Sequence, residues 1–313
     1  MTLQLGAHIG QQNMAMDEMR ALWTRLDRAG LDWLSVWDHI YEAPPAGGTI
    51  DHFETVASLA ALACDTENAR LGVLVFYVGY RNPGLLAKVA ATVDHLSGGR
   101  FTLGLGAGWH EPEATAYGYE FPSPGRRLDM LDEATRAIRG LLTQDRTTFH
   151  GEHVTVENAS CLPPPVQERL PIWIGGLGPK RTIPMVARLA DGWNAAYVSP
   201  ERYNELNTLL TSHAEEVGRD PAEIERTVNL SFDLVLDEAE IEDRRRELVI
   251  KWGSQAERLA AGSLLATPNR AVEQILAYRD AGAEMVNVAF RAPWNPDALD
   301  AYLEVVVPQV RTA

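Results

Sequence analysis

Strand-like and helix-like patterns alternate along the chain from its first residues. Residues 3–9 form a short apolar run, and Met19, Leu22, Trp23, Leu26 and Ala29 then recur at helical spacing within 17–28. Residues 31–37 (LDWLSVW) return to a strand pattern, and Phe53, Val56, Ala57, Ala60 and Cys64 mark one face of the next helix. Residues 70–78 (RLGVLVFYV) are almost continuously β-branched and aromatic, as a parallel strand buried on both faces requires. Asn82-Pro83-Gly84 opens a helix carrying Leu85, Leu86, Val89, Ala90, Val93 and Leu96. Ser97-Gly98-Gly99 stops it, and 100–106 is the next strand. Leu128, Leu131, Ala134, Ile138 and Leu141 lie on one face of a further helix. Residues 147–156 then read as a small hairpin, and Pro163-Pro164-Pro165 as a rigid connector. Strands follow at 171–174, 193–198, 229–236 and 285–290, each adjoining a helix pattern.

About eight strands with interleaved helices, with no linker or low-complexity segment, predict one α/β domain over 1–313. Its expected form is a (β/α)8 TIM barrel with an insertion around 145–170. The competing doubly wound sheet calls for a glycine-rich turn after the first strand, and Gly10-Gln11-Gln12-Asn13-Met14 lacks that fingerprint.

Composition narrows the partners. The chain has 313 residues, 28 Lys+Arg against 43 Asp+Glu and a formal charge of −15. A surplus of negative charge disfavours nucleic acid and acidic membrane as partners. The two cysteines make no disulfide framework. No signal-peptide pattern opens the chain, and no run approaches the roughly 20 apolar residues of a membrane span. These features predict a soluble, cytoplasmic protein acting on a small molecule.

In a barrel, functional groups lie at the C-terminal ends of the strands. His39 of Trp37-Asp38-His39 ends the second strand, where it could hydrogen-bond a cofactor or act as acid and base; the plainer alternative is a loop in which Asp38 caps and His39 satisfies backbone. Gly104, Gly106 and Gly108 alternate before Trp109, His110, Glu111 and Glu113, which lets a flat ligand or a phosphate approach the backbone, although glycines also serve ordinary turns. Gly175-Gly176-Leu177-Gly178 precede a helix expected near Pro179. Free N–H groups there, with Lys180 and Arg181, would cradle a phosphate; the alternative is a plain turn with solvated basic residues. Gly72 in the third strand would permit a bulge or close approach of a ligand, although a buried core strand is the plainer reading. His95, His150, His153 and His213 lack metal-ligand spacing, so no metal is expected, and no G-x-S-x-G elbow is present. Residues 237–247 read as a solvated helix face with i,i+4 pairs, and neither His8 nor the region of Trp252 stands out.

Together the stretches SVWDHI (35–40), YRNPGLLAKVAATVDHLSGGRFTLGLGAGWHEPEATAYG (80–118), PPPVQERLPIWIGGLGPKRT (163–182) and VARLADGWN (186–194) resemble the luciferase-like monooxygenase superfamily, in its branch dependent on the deazaflavin coenzyme F420. A weaker echo lies in 266–288. The resemblance implies a (β/α)8 barrel with an insertion late in the barrel and a cofactor across its C-terminal mouth. It implies that Asp38 and His39 lie beside the ring, and that a non-prolyl cis peptide, at Leu74–Val75 to within one residue, backs it. Ala107 and Gly108 would form the cofactor wall, and Gly175, Gly176, Leu177 and Gly178 the phosphate turn.

One departure matters. Sugar-phosphate dehydrogenases of this branch carry a carboxylate directly after the glycine string, where this chain has Trp109. An apolar or planar organic substrate is therefore expected, with Trp109, His110 and Glu113 (and Glu111) in its pocket. The expected activity is hydride transfer between F420 and that substrate, with His39 handling the proton. An enzyme that reduces the cofactor would be a functional partner. Alternatives are an FMN-dependent monooxygenase using reduced flavin and O2, served by a flavin reductase, and a non-catalytic cofactor-binding barrel. Because F420 carries a phosphate and a glutamate tail, local cations are expected at Lys180 and Arg181, with Arg81 or Arg126 as further candidates. Related barrels often pair as homodimers; the sequence leaves the oligomeric state open.

Overall fold

The computed structural model describes residues 2–42 and 47–313. The parallel strands β1 (Gln4–Ile9), β2 (Trp33–Val36), β3 (Arg70–Val73), β4 (Phe76–Tyr77) and β5 (Phe101–Gly106) lie in the first half. The helices α1 (Met16–Arg28), α2 (Thr55–Asp65) and α3 (Pro83–Ser97) connect them, and α4 (Glu111–Ala116) and α5 (Pro124–Thr143) follow. An antiparallel hairpin, β6 (Thr147–His150) and β7 (Thr155–Ala159), comes next. The series resumes with β8 (Ile172–Gly175), α6 (Thr182–Leu189), β9 (Gly192–Ala196), α7 (Pro200–Glu216) and β10 (Glu225–Ser231). Then come α8 (Glu240–Trp252), α9 (Ala256–Ala261), α10 (Pro268–Asp280), β11 (Met285–Phe290) and the terminal helices α11 (Pro296–Ala301) and α12 (Val307–Thr312).

β3 and β4 are one barrel strand interrupted at Leu74–Val75, so the sheet runs β3-β2-β1-β11-β10-β9-β8-β5-β4 and closes through β3–β5. Eight parallel staves and an outer ring of helices make the expected (β/α)8 barrel. Register is direct where the ends meet: Gln4 faces Met285 and Ile9 faces Phe290.

Local chemistry explains the elements. α1 buries Met19, Leu22, Trp23 and Leu26 on one stripe. Its Asp27 carboxylate accepts N–H bonds from Glu67, Asn68 and Ala69 at 2.8–3.1 Å, which ties the loop before β3 to the helix. Asn82 caps α3 over Pro83, and Gly98 ends it in the left-handed region at φ 64°. The bottom of the barrel is plugged by Trp33 stacked on Trp173 at 4.5 Å, with the Arg70 guanidinium over both rings. No described helix is long and apolar enough to cross a membrane.

Three expectations need correction. The seventh stave is Glu225–Ser231 rather than 229–236. Its polar start hid it: Arg226 is buried because its guanidinium donates to the carbonyls of Pro221 and Ile224 and to Asn207 Oδ1. Phe232 leaves the sheet and packs on Phe290 at 4.6 Å. The helix after the glycine turn starts at Thr182, not Pro179, because the Gly178 carbonyl accepts the Ile183 N–H in a preceding turn. On α8 the ion pairs Arg246–Asp243 and Arg244–Glu247 have i,i+3 spacing, not i,i+4.

Candidate active site

The C-terminal ends of the staves open into one cleft of about 540 Å³. Its floor is built around Val75. The peptide Leu74–Val75 is cis, and the Val75 side chain lies over the glycines of the neighbouring staves. A Cβ at Gly106 would meet Val75 Cγ2 at 2.4 Å, and one at Gly175 would meet Val75 Cγ1 at 2.9 Å. Those glycines thus leave a flat backbone surface flush with Val75. Ala107 and Gly108 continue it, Gly108 at φ 70° with its Cα face against the Tyr77 ring. All of these residues line the cleft.

The second stave delivers Trp37, Asp38 and His39. Asp38 is buried and accepts two bonds from Arg81 Nη1, at 2.7 and 2.8 Å, and one from the Tyr77 N–H at 3.0 Å. Burial pushes its carboxyl up, but Arg81 and the Tyr77 N–H pull the other way. The guanidinium at 2.7 Å opposes that rise without cancelling it. Asp38 braces the β4 turn and pairs with Arg81.

His39 Nδ1 lies 2.7 Å from Glu113 Oε1, on the first turn of α4. Glu113 Oε2 accepts the N–H groups of Ile40 and Tyr41 at 2.9 and 3.1 Å, and Tyr80 hydrogen-bonds the same carboxylate. Burial alone would raise the Glu113 carboxyl; the bonds from His39, Ile40 and Tyr41 outweigh it and hold the group below the ordinary range. Burial and Glu113 together raise the Tyr80 hydroxyl above the ordinary tyrosine value. An ionised Glu113 accepts in this contact, so His39 Nδ1 carries its hydrogen. Glu113 is thus spent on His39 rather than offered to a substrate. Trp109 forms an exposed lip 5.4 Å from the His39 ring, and His110 stacks on Trp109 at 5.2 Å. Burial lowers the His110 pKa, and its Nε2 has no partner.

The fifth stave ends in Gly175-Gly176-Leu177. Gly176 has φ 140°, donates its N–H to the Asn194 carbonyl at 3.1 Å and accepts the Trp193 indole N–H at 2.8 Å. Leu177 and Thr182, at the start of α6, face the cleft with it. Gly178 stands against the Thr182 hydroxyl, 2.8 Å from where a Cβ would be. The cations expected here are not among the residues that line the cleft. Lys180 is exposed outside the cleft lining, and Arg181 pairs with Asp129. Of the further candidates, Arg81 is committed to Asp38 and Glu54, and Arg126 pairs with Glu120.

The sequence reading passed over several lining residues. His8 is the penultimate residue of β1, with Nδ1 2.9 Å from Ser35 Oγ. Trp252, Gln255, Arg258 and Leu259, from the α8–α9 excursion, form an outer wall, and Tyr197 and Arg291 close the side above β9 and β11. Burial, Arg291 and His39 lower His8 to about 3, and burial and His39 lower His52, which accepts the Trp37 indole N–H at 2.8 Å, to about 4.

These depressed values carry an acid-stability prediction. The unfolded rings titrate near 6.5, so below that pH the unfolded chain binds more protons. The rings' contribution is full above pH 6.5 and is lost as the pH falls towards about 4 for His52 and about 3 for His8, by up to about 1.4 kcal/mol per pH unit for each ring. Denaturant midpoints measured across this window should fall less steeply in His8→Gln; an unchanged slope contradicts the assignment.

Comparison with known proteins adds to this geometry. Residues 1–283 match the family model described as luciferase-like monooxygenase. An uncharacterised protein of Mycobacterium tuberculosis is 39% identical over 136 residues, 44% of this chain and 47% of that protein. The matched stretch thus spans about half the length of these first curated relatives. An F420-dependent glucose-6-phosphate dehydrogenase of Rhodococcus erythropolis is 28% identical over 340 residues, covering 99% of this chain and 98% of that one. A solved F420-dependent secondary alcohol dehydrogenase, in complex with an F420-acetone adduct, superposes with TM-score 0.87 at 21% identity, covering 99% of both chains.

Proposed function

From the chain's membership of the luciferase-like monooxygenase family, we propose that it is an F420-dependent oxidoreductase moving a hydride between the deazaflavin and a small, largely apolar organic substrate. The observation that carries the reading is the His39–Glu113 pair, held beside the flat wall of Val75, Gly106 and Gly175. The names of the Rhodococcus relative and the alcohol dehydrogenase support the choice of cofactor.

The residues fit such a group. The wall at Val75, where a Cβ on either flanking glycine would collide, suits a flat heterocycle, and the turn from Gly176 to Thr182 brings the positive end of α6 to the same cleft for a phosphate. Gly175, Gly176, Leu177 and Thr182 would meet that phosphate through backbone and hydroxyl, with Lys180 and Arg181 acting only at longer range. When bound, F420 supplies a carbon that accepts or returns a hydride.

The chain's own residues handle the proton. Glu113 fixes His39 with Nδ1–H towards it, so Nε2 can accept the proton of a substrate hydroxyl as the carbon beneath becomes a carbonyl. In the reverse direction the protonated ring returns that proton to the oxygen. Trp109, His110 and Tyr80 lie beside the pair, and Trp109 takes the place of an acidic side chain. This favours an apolar or planar substrate over a sugar phosphate.

The cofactor choice is tested by fluorescence titration with F420 and with FMN. Micromolar binding of F420, with FMN much weaker, is the expected result. FMN binding without F420 binding would turn the reading to a flavin-dependent monooxygenase.

A further inference from the structure

Arg291 follows β11 directly and lines the cleft. Its guanidinium lies 5.4 Å from the Trp37 ring centre and 4.9 Å from that of Tyr197, and Nη2 donates to Tyr197 Oη at 2.7 Å. Nε is buried without a partner, and among the described residues no carboxylate forms an ion pair with Arg291. This is unusual company in a chain with 43 acidic and 28 basic residues. Arg81 and Arg181, by contrast, are each neutralised by aspartate.

The surroundings deepen the excess of positive charge. Arg258 donates only to neutral oxygens, the Tyr197 carbonyl and Gln255 Oε1, both at 3.3 Å. Lys251 is near enough that burial and Arg291 lower its pKa, with Asp233 and Glu247 opposing. Asp233 is itself engaged by the Ser263 hydroxyl. An arginine with unspent in-plane donors, flanked by two aromatic faces, matches a planar carboxylate. The Trp37 ring beneath the Arg291 guanidinium has its centre 6.2 Å from that of His39. Arg291 and His39 line the same cleft, so an acid gripped at Arg291 would occupy the space that His39 also faces.

We propose that Arg291 anchors the substrate and that the substrate class is a small organic carboxylate with an apolar body. The proposal refines the oxidoreductase reading and rests on it for the identity of the reacting partner. The anchor is distinct from the phosphate turn: Gly176 follows the fifth stave and Arg291 the eighth, next to β1 and three staves away around the barrel.

Calorimetric titration with benzoate and with its neutral counterpart benzamide tests this, in the free protein and in the protein saturated with F420. Benzoate should bind about tenfold tighter or more, as a charge-assisted pair supplies, and the preference should shrink with added salt. Arg291→Gln should remove the preference while F420 affinity, read separately by fluorescence, stays unchanged; Arg291→Lys should restore part of it. Equal affinities, or a preference that survives Arg291→Gln, overturn the proposal. Competition between benzoate and F420 overturns it too, by assigning Arg291 to a carboxylate of the cofactor. If F420 fails to bind while the benzoate preference persists, the cofactor reading falls and the anchor stands. Loss of the preference alone sinks only the anchor.

Discussion

Replacing His39 by alanine should lower kcat by about 10² to 10⁴-fold, the contribution of a positioned acid–base group, while F420 still binds. The side chain reaches the cleft from the end of β2 and takes no part in the barrel's core, so the thermal transition should stay within a few degrees of the parent protein. Glu113→Gln separates the proton role from simple contact. Glu113 Oε1 now accepts from His39 Nδ1, and Oε2 accepts two backbone N–H groups. An amide can keep an acceptor on one side only, so either the histidine tautomer or the Ile40–Tyr41 turn is lost. The variant should show a smaller fall in kcat than His39→Ala, with a displaced pH–rate profile. Full turnover in His39→Ala with a true substrate would remove the ring from the mechanism.

The second large effect is on the scaffold. Gly104→Ala should destabilise the protein by about 3 kcal/mol or more, at the upper end for overpacking. Its Cβ would sit 2.0 Å from the Val73 carbonyl oxygen, a backbone atom that cannot turn aside. Relief requires β5 and β3 to separate at the point where the Val75 wall is made, so cofactor affinity should fall with stability. Gly125→Ala, whose Cβ would meet nothing within 4 Å at the start of α5, is the control and should be neutral or slightly stabilising. Chemical denaturation of the two variants side by side reads the difference.

Much of this molecule is legible in its sequence because buried parallel staves advertise themselves as apolar runs: β1, β5 and β11 lie within or next to the residues their patterns predict. The strand expected at 229–236 starts earlier, at Glu225, because a buried arginine satisfied by carbonyls lies near its start. The outer wall of α8 and α9 carries charged faces and no period that marks it as cleft lining. The place of Asp38-His39 at the end of the second strand marked that pair, and the family resemblance located the bond at Leu74–Val75, which no local pattern specifies. It also drew attention to Lys180 and Arg181, but proximity in sequence does not show that Arg181 is spent on Asp129. His8 was hidden inside an apolar run, since its partner Ser35 belongs to the adjacent stave. Arg291 was discoverable: it directly follows the last stave, at the barrel end where function concentrates.

The central claim is that this cleft transfers a hydride and does not activate oxygen. It is tested most directly by turnover under strict anaerobiosis with reduced F420 carrying two deuteriums on its hydride-bearing carbon and a panel of small carbonyl acids. The account predicts undiminished turnover without O2 and one deuterium in each product molecule. Turnover that stops without O2 and leaves the product unlabelled would contradict it.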